Sequence, residues 1–99
     1  MPDQAVRVVA RIVARPGKVE ELRAVLHDLV EPTRKEQGCV MYELLQNKTD
    51  PTDFTFVEEW SSEEALDAHL QSPHLQEARL RLPDLAAADP DIRRYTIVG

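Results

Sequence analysis

The sequence contains one cysteine, Cys39, and three glycines among its 99 residues. A single cysteine excludes an internal disulfide and any zinc or iron–sulfur site built from several thiolates. The glycines, at positions 17, 38 and 99, are too few and too scattered to form the loops that hold dinucleotide or nucleotide phosphates. We therefore expect no recognisable site for a nicotinamide, a flavin or ATP, and we predict no cofactor.

Positive charge and long apolar runs are also scarce. Twelve Lys and Arg residues stand against eighteen Asp and Glu residues, so the formal net charge is −6. Nucleic acid is not an expected partner, because phosphate binding needs a basic surface. A membrane is not expected either, because the most apolar stretch, Ala5 to Ala14, is short and contains Arg7 and Arg11. The opening residues, Met1-Pro2-Asp3-Gln4, lack the basic and apolar regions of a signal peptide, and we expect a cytoplasmic protein.

What is present fits one small folded domain that spans residues 1–99. Hydrophobic residues make up 42% and charged residues 30% of the chain, which are the proportions of an ordinary globular protein. A chain of this length buries only about two-thirds of the surface that its unfolded form exposes. Association with a second copy would therefore add to a modest core.

The hydrophobic pattern predicts the elements of the first half of the chain. Alternation from Val6 to Arg15 predicts a strand. Helical spacing from Val19 to Val30 predicts a long amphipathic helix that Pro32 kinks or ends. Two segments rich in aromatic and β-branched residues, Val40 to Asn47 and Phe54 to Ser61, predict a β-hairpin.

The second half predicts a helical segment in two parts and a last strand. Ser61 and Glu64 resemble a capping box that opens the first part, and Ser72-Pro73 resembles the start of the second. The last strand is predicted from Ile92 to Val98. The resulting order is β-α-β-β-α-β, which indicates an α+β fold of the ferredoxin-like type with an antiparallel sheet.

The first strand also predicts how the chain associates. Helices can cover only one face of such a sheet, and the opposite face still carries the apolar side chains of Val9 and Val13. An apolar sheet face that no helix covers usually marks an interface. We therefore expect a homodimer that packs sheet to sheet.

Three motifs follow one another along the chain: Glu36-Gln37-Gly38-Cys39-Val40-Met41-Tyr42-Glu43, Phe56-Val57-Glu58-Glu59-Trp60-Ser61 and Ala65-Leu66-Asp67-Ala68-His69-Leu70-Gln71-Ser72-Pro73-His74-Leu75. In this order and spacing they resemble the antibiotic biosynthesis monooxygenase domain family, over nearly the whole chain. The resemblance implies a dimeric α+β barrel with a ligand pocket between the helices and the sheet of each subunit. It also implies an activity, because characterised members of the family include oxygenases that need no metal or flavin and oxidise polycyclic phenols, anthrones or quinols with O₂.

One strand carries a cluster of candidate site residues. Trp60, the only tryptophan, shares a strand face with Phe54, Phe56 and Glu58. This face is either an aromatic wall for a flat substrate or part of the core. Where this chain has Phe56, the oxygenases of the family that it resembles carry an asparagine. A carboxylate at Glu58 must be paired or have its pKa raised by desolvation. Phe56 and Glu58, which share this face, are both candidates for substrate contact.

His69 is the candidate general base. It lies on the flank of the apolar stripe of its helix, and a histidine with an unperturbed pKa of about 6.5 can accept a phenolic proton at neutral pH. Tyr42 and His74 are further candidates for substrate binding, and a purely structural role is the alternative for all three residues. The chain break at Pro73 disrupts the i, i+4 spacing that two metal ligands on one helix would use, so we predict no metal site.

The leading hypothesis is a cofactor-independent monooxygenase that oxidises a phenol, quinol or anthrone-type aromatic molecule with O₂. Once deprotonated, such a substrate can itself pass an electron to O₂, with His69 as the base and Trp60 as the wall of the site. The first alternative is a non-enzymatic dimeric module that binds a small ligand, which Phe56 in place of asparagine favours. The second is a haem-binding or haem-degrading protein with His69 or His74 as the axial ligand.

Overall fold

The computed structural model describes residues 5–99, and the opening segment Met1-Pro2-Asp3-Gln4, on which the signal-peptide argument rests, lies outside that range. The elements confirm the predicted β-α-β-β-α-β order, with each helical segment divided in two. No helix within residues 5–99 is long and apolar enough to cross a membrane. The bounds are β1 Val6–Val13, α1 Val19–His27, α2 Val30–Arg34, β2 Cys39–Gln46, β3 Asp53–Trp60, α3 Glu63–Leu70, α4 Pro73–Leu85 and β4 Asp91–Tyr95.

The strands form one antiparallel sheet in the order β2-β3-β1-β4, which confirms the ferredoxin-like α+β fold. In the central pair, Ala10 of β1 lies opposite Phe56 of β3, and Val8 lies opposite Glu58. The even-numbered residues of both strands therefore share one face, and they are buried beneath the helices. The helical segments contribute to this core the buried residues Leu22, Val25, Leu26, Leu29, Leu66, Ala78 and Leu85.

The first helical segment breaks before its proline. Between α1 and α2, the amide of Leu29 donates to the carbonyl of Leu26 at 3.2 Å in a tightened turn. A proline ring clashes with the carbonyl four residues before it, which for Pro32 belongs to Asp28. The break predicted at Pro32 therefore falls at Asp28, and the single helix predicted from Val19 to Val30 becomes two.

The N-cap of α3 is Ser62 and not the predicted Ser61. The Ser62 hydroxyl accepts the amide hydrogen of Ala65 at 3.1 Å. The Ser61 amide instead donates to the Gly38 carbonyl at 2.8 Å, which holds Ser61 beside the preceding turn. Glu64 is then the second residue of the helix, one position too early to complete the predicted capping box.

The last strand is shorter than the predicted Ile92 to Val98. It pairs with β1 from Asp91 to Tyr95, and Tyr95 lies opposite Arg7. Because β1 begins at Val6, residues after Tyr95 soon pass the end of the strand that would pair with them.

The sheet face away from the helices is mixed in character. Val9 of β1 and Val57 of β3 lie opposite each other on this face, and both are half-buried, as is Val13. At one end of this apolar strip, Arg11 forms an ion pair with Asp53 at 2.8 Å. The face thus combines an apolar strip with charged borders.

Candidate active site

A small apolar cavity of about 70 Å³ lies between the helices and the inner face of the sheet. Most of its lining is aliphatic, and its polar side chains are those of Tyr42, Glu58, His69 and Arg79. Tyr42, Glu58 and His69 are buried, whereas Arg79 and the lining residue Ile92 are exposed. The cavity therefore opens toward solvent at Arg79 and Ile92, where β4 forms the edge of the sheet.

Three side chains from separate elements meet beside this cavity. Glu36 lies in the turn between α2 and β2, His69 lies in the last turn of α3, and His74 lies in the first turn of α4. Oε2 of Glu36 is 2.8 Å from Nδ1 of His69 and 2.6 Å from Nε2 of His74. One carboxylate oxygen thus accepts hydrogen bonds from both rings. The His69 side chain is 3% exposed, so this bond is shielded from water.

The bond to Glu36 fixes the tautomer of His69. A carboxylate only accepts hydrogen bonds, so Nδ1 of His69 carries the hydrogen, and in the neutral ring Nε2 carries the free lone pair. Burial lowers the pKa of His69, and the hydrogen bond to Glu36 opposes this effect. His69 also lines the cavity. The arrangement therefore provides a basic ring nitrogen at the wall of a largely apolar space.

Glu58 is a buried carboxyl group with one hydrogen-bond donor. It is 4% exposed, and Nε1 of Trp60 donates to its Oε1 at 2.8 Å. Burial raises the pKa of Glu58 to about 7, the bond from Trp60 opposes this rise, and the charge of Glu36 adds to it. At neutral pH both protonation states are therefore populated, and the group can donate or accept a proton in the cavity.

Tyr42 places a phenol in the cavity wall. Its ring centroid is 4.8 Å from that of Phe56 and 5.6 Å from that of His69. Burial, and then the charge of Glu58, raise the pKa of Tyr42 well above its ordinary value. The phenol therefore keeps its hydrogen and acts as a hydrogen-bond donor.

The structure places the predicted site residues in two groups. Tyr42, Phe56, Glu58 and His69 line the cavity together. Trp60 is fully buried and is not among the lining residues, and its indole stacks on His69 with ring centroids 4.7 Å apart. Trp60 thus supports the imidazole from within the core instead of forming the surface of the cavity.

His74 and Glu36 complete the site outside the cavity lining. The predicted chain break between α3 and α4 is confirmed, yet the rings of His69 and His74 are only 6.3 Å apart, because both bond to Glu36. Sequence reasoning did not single out Glu36 as a functional residue. It is 33 positions from His69, and no local spacing connects the two. Its one sequence signal is its place at the start of the first motif.

The cavity and its cluster belong to a fold with known relatives. The family model described as antibiotic biosynthesis monooxygenase matches residues 5–81. The uncharacterized protein sll1783 from Synechocystis is 36% identical over 95 residues, and the match covers 96% of this chain and 65% of that protein. YgiN from Escherichia coli, named a probable quinol monooxygenase, is 32% identical over 80 residues, covering 70% of this chain and 76% of YgiN. The solved structure of Rv0793 from Mycobacterium tuberculosis superposes with a TM-score of 0.90 at 30% identity and covers 96% of both chains.

These matches define the class of the protein: the chain belongs to the antibiotic biosynthesis monooxygenase family. The family match contains Glu36, Tyr42, Glu58, His69 and His74. It ends within α4, so the cavity edge formed by β4 lies outside it. The chain spans about two-thirds of the length of sll1783.

Proposed function

We propose that this protein is a cofactor-independent monooxygenase that oxidises a quinol or a related electron-rich phenol with O₂. The observation that carries the proposal is the Glu36–His69 pair, which leaves the basic Nε2 of a neutral imidazole at the wall of an apolar cavity. Membership of the family and similarity to YgiN, named a probable quinol monooxygenase, support the same class of reaction.

The proposed reaction begins with proton transfer. Nε2 of His69 accepts the proton of a phenolic hydroxyl, and Glu36 stabilises the resulting imidazolium through Nδ1. The deprotonated ring gives one electron to O₂, and the two radicals combine to form a C–O bond at a ring carbon. The imidazolium returns its proton to the outer oxygen of this peroxide. Loss of the ring C–H proton and cleavage of the O–O bond then release water and leave a carbonyl, so each O₂ supplies one atom to the product and one to water.

Tyr42 and Glu58 supply the polar contacts of the proposed reaction. The Tyr42 phenol, and Glu58 when it is protonated, can each donate a hydrogen bond to an oxygen on which negative charge develops. A fixed donor in an apolar cavity stabilises such charge more strongly than water does, because the surrounding dielectric constant is low. These two residues therefore orient the ring and stabilise the anionic intermediates.

The size of the cavity favours a small substrate. Pockets for drug-sized ligands measure about 300–1,000 Å³, whereas this cavity measures about 70 Å³. A single-ring quinol would fit after outward movement of the exposed side chains at Arg79 and Ile92. A polycyclic anthrone or a haem would require α4 to move away from the sheet. We therefore place single-ring quinols ahead of both.

Ligand binding without chemistry is the second candidate, and Phe56 favours it. The Phe56 ring packs on Tyr42 and presents an apolar surface to the cavity, at the position where the family's oxygenases carry an asparagine. A binding module would hold the same aromatic ring through Tyr42 and Glu58 but would consume no O₂.

The homodimer is part of the proposal. Val9, Val13 and Val57 give the outer sheet face an apolar strip that no described helix covers. A second copy of the chain, packed sheet to sheet, would bury this strip against itself through a two-fold axis.

Oxygen uptake by metal-free and flavin-free protein tests the function. The panel contains single-ring quinols, catechols and anthrones, and heat-denatured protein gives the background. We expect uptake with quinols and a rate at least about 100-fold lower in His69→Ala, because a positioned base contributes roughly 10²–10⁴-fold. His27→Ala is the matched control, since His27 is exposed at the end of α1. Full turnover by His69→Ala would contradict the proposal, and tight quinol binding without uptake would establish the binding module.

A further inference from the structure

The cluster of Glu36, His69 and His74 contains more ligand atoms than the proposed reaction uses. That reaction needs the Glu36–His69 pair and gives His74 no role. The three side chains nevertheless place one carboxylate oxygen and two imidazole nitrogens within 4.8 Å of one another. We propose that Glu36, His69 and His74 bind one divalent transition-metal ion of the zinc class through Oε2, Nδ1 and Nε2.

The spacing of the three atoms is close to that of such a site. Ligand atoms arranged tetrahedrally about Zn²⁺ at 2.0–2.1 Å are about 3.3 Å apart. The distances from Oε2 of Glu36 to the two rings, 2.8 and 2.6 Å, are shorter because hydrogens occupy the bonds, and the distance between the two nitrogens is no more than 4.8 Å. Binding would therefore withdraw the Glu36 oxygen slightly and turn the two rings until their nitrogens are about 3.3 Å apart, so that one ion replaces two hydrogens.

The kinds of donor atom select the class of metal. Two imidazoles and one carboxylate form the protein part of many zinc sites that keep a fourth position for water. Mg²⁺ and Ca²⁺ prefer oxygen donors and would leave both imidazoles unused. The divalent ions of the later first-row metals accept nitrogen and oxygen together, and Zn²⁺ and its analogue Co²⁺ are the members of this class that serve as probes.

The charge of the cluster also favours a divalent cation. Within residues 5–99, the side chain of Glu36 forms ion-pair contacts with the two histidines and with no lysine or arginine. It is only 16% exposed, so water screens its carboxylate incompletely. A divalent ion would supply the positive charge that this shielded carboxylate otherwise lacks.

Backbone hydrogen bonds fix the segments that carry the three ligands. The Glu36 carbonyl accepts from the amide of Cys39 at 3.2 Å in the turn that precedes β2, and the His69 carbonyl accepts from the amide of Ser72 at 3.0 Å. Ser72 is the N-cap of α4, which fixes the first turn of that helix and with it His74. With the backbone fixed in this way, only the three side chains need to move when the ion binds.

Binding of the ion would have a consequence that rests on the proposed function. An ion on Nδ1 of His69 forces the ring hydrogen onto Nε2, where the proposed reaction needs a free lone pair. The metal-bound ring would donate a hydrogen bond to the cavity and would not accept a proton from it. The ion would therefore inhibit the oxidation of a quinol.

Metal binding without substrate tests the site directly. Zn²⁺ is titrated against a chromogenic chelator, and Co²⁺ is followed by its visible absorption. We expect one ion per chain and at least about tenfold weaker binding in His74→Gln and Glu36→Gln. His27→Gln, which changes a histidine outside the cluster, should bind as the unmodified chain does. His74→Gln keeps an N–H donor for Glu36, and circular dichroism checks that it folds; Glu36→Gln provides a second, independent test.

The outcomes separate this site from the proposed function. Absence of Zn²⁺ binding, or equal affinity in the unmodified chain and in His74→Gln, would overturn the site. If the site and the reaction are both present, Zn²⁺ lowers O₂ uptake by the unmodified chain at least tenfold more than uptake by His74→Gln, each relative to its own metal-free rate. Zn²⁺ binding that depends on His74, together with no O₂ uptake by metal-free protein, would establish the site and refute the reaction.

Discussion

The imidazole of His69 stacks on the indole of Trp60 at a centroid distance of 4.7 Å, with the ring planes 30° apart. The same indole donates its N–H to Glu58 at 2.8 Å. The stack uses the face of the indole and the hydrogen bond uses its edge, so both contacts form at once. Trp60 therefore positions the proposed base and a buried acid of the same cavity, although it does not line the cavity itself.

Trp60→Phe separates these two contacts. Phenylalanine keeps an aromatic face for His69 but cannot donate to Glu58, so we expect the pKa of Glu58 to rise above about 7. If the pKa of Glu58 rises by one unit, its ionised form loses up to about 1.4 kcal/mol of stabilisation at pH 8. The loss of ring volume is independent of pH. Urea unfolding at pH 5 and pH 8 should therefore show a larger cost at pH 8, and equal costs at both pH values would refute the role of the hydrogen bond.

Glu58 should also make the stability of the fold depend on pH. Its pKa rises from an ordinary 4.5 to about 7 in the folded chain, so between these values the folded state binds more protons than the unfolded state. Stability therefore falls as the pH rises from about 4.5 to 7, and it levels off above that. The full change is up to about 3.5 kcal/mol, because the two pKa values differ by about 2.5 and each pKa unit corresponds to about 1.4 kcal/mol.

The Glu58→Gln variant isolates this effect. Glutamine resembles the protonated acid and can still accept the hydrogen bond of Trp60, so the variant should lack the decline and exceed the unmodified chain in stability at pH 8. The measurement is the difference between the two unfolding free energies at pH 5, 6, 7 and 8, in which the contributions of all other groups cancel. A difference that does not change with pH would contradict the raised pKa of Glu58.

The sheet could be predicted because its signal is local. The residues of β1 alternate between an apolar inner face and a mixed outer face, and Phe54, Phe56 and Trp60 repeat the same period in β3. The sequence of each strand therefore indicates which of its two faces points toward the core. Because Glu58 alternates with its neighbours in the same way as these aromatic residues, it is predicted on the inner face, and the structure has it there beside the cavity.

The candidate site could be predicted only in part, because it depends on contacts between distant segments. The bond between Glu36 and His69 requires the turn before β2 to lie against the ends of α3 and α4, and neither residue carries a local signal of that contact. The choice of Ser62 over Ser61 as N-cap has the same cause, since the backbone bond of Ser61 to Gly38 decides it. Trp60 was ambiguous because an inward-facing aromatic residue can either line a cavity or fill the core.

Gly38 lies two residues after Glu36, in the turn before β2, and Gly17 offers a matched comparison. Both glycines have positive φ, +86° and +80°, so alanine at either site costs about 1–2 kcal/mol of backbone strain. A Cβ at Gly38 would also lie 2.5 Å from Cβ of Ala65 and 2.9 Å from Oγ of Ser61, whereas a Cβ at Gly17 meets no atom of residues 5–99 within 4 Å. Overpacking adds about 1–3 kcal/mol, so Gly38→Ala should be the less stable variant by that amount.

Thermal or urea unfolding of the two glycine variants measures this difference. Because Gly38 is two residues from Glu36, Gly38→Ala should also lower O₂ uptake, and Gly17→Ala should not. Equal stability of the two variants would show that α3 moves aside for the added methyl group.

Val57 tests whether the outer sheet face joins two copies of the chain. It lies opposite Val9 and Glu43 in the sheet. Lysine at position 57 would place one unpaired charge from each copy in the proposed interface, which is costly when buried, but in a single chain it would lie beside Glu43 in water. We expect Val57→Lys to fold and to raise the dimer dissociation constant at least about tenfold, or 1.4 kcal/mol, by sedimentation velocity.

Leu80→Lys changes an 81% exposed side chain of α4, outside the sheet face, and should leave association unchanged. If both variants associate like the unmodified chain, two copies do not meet through this face, and if Leu80→Lys alone dissociates, α4 forms the interface instead.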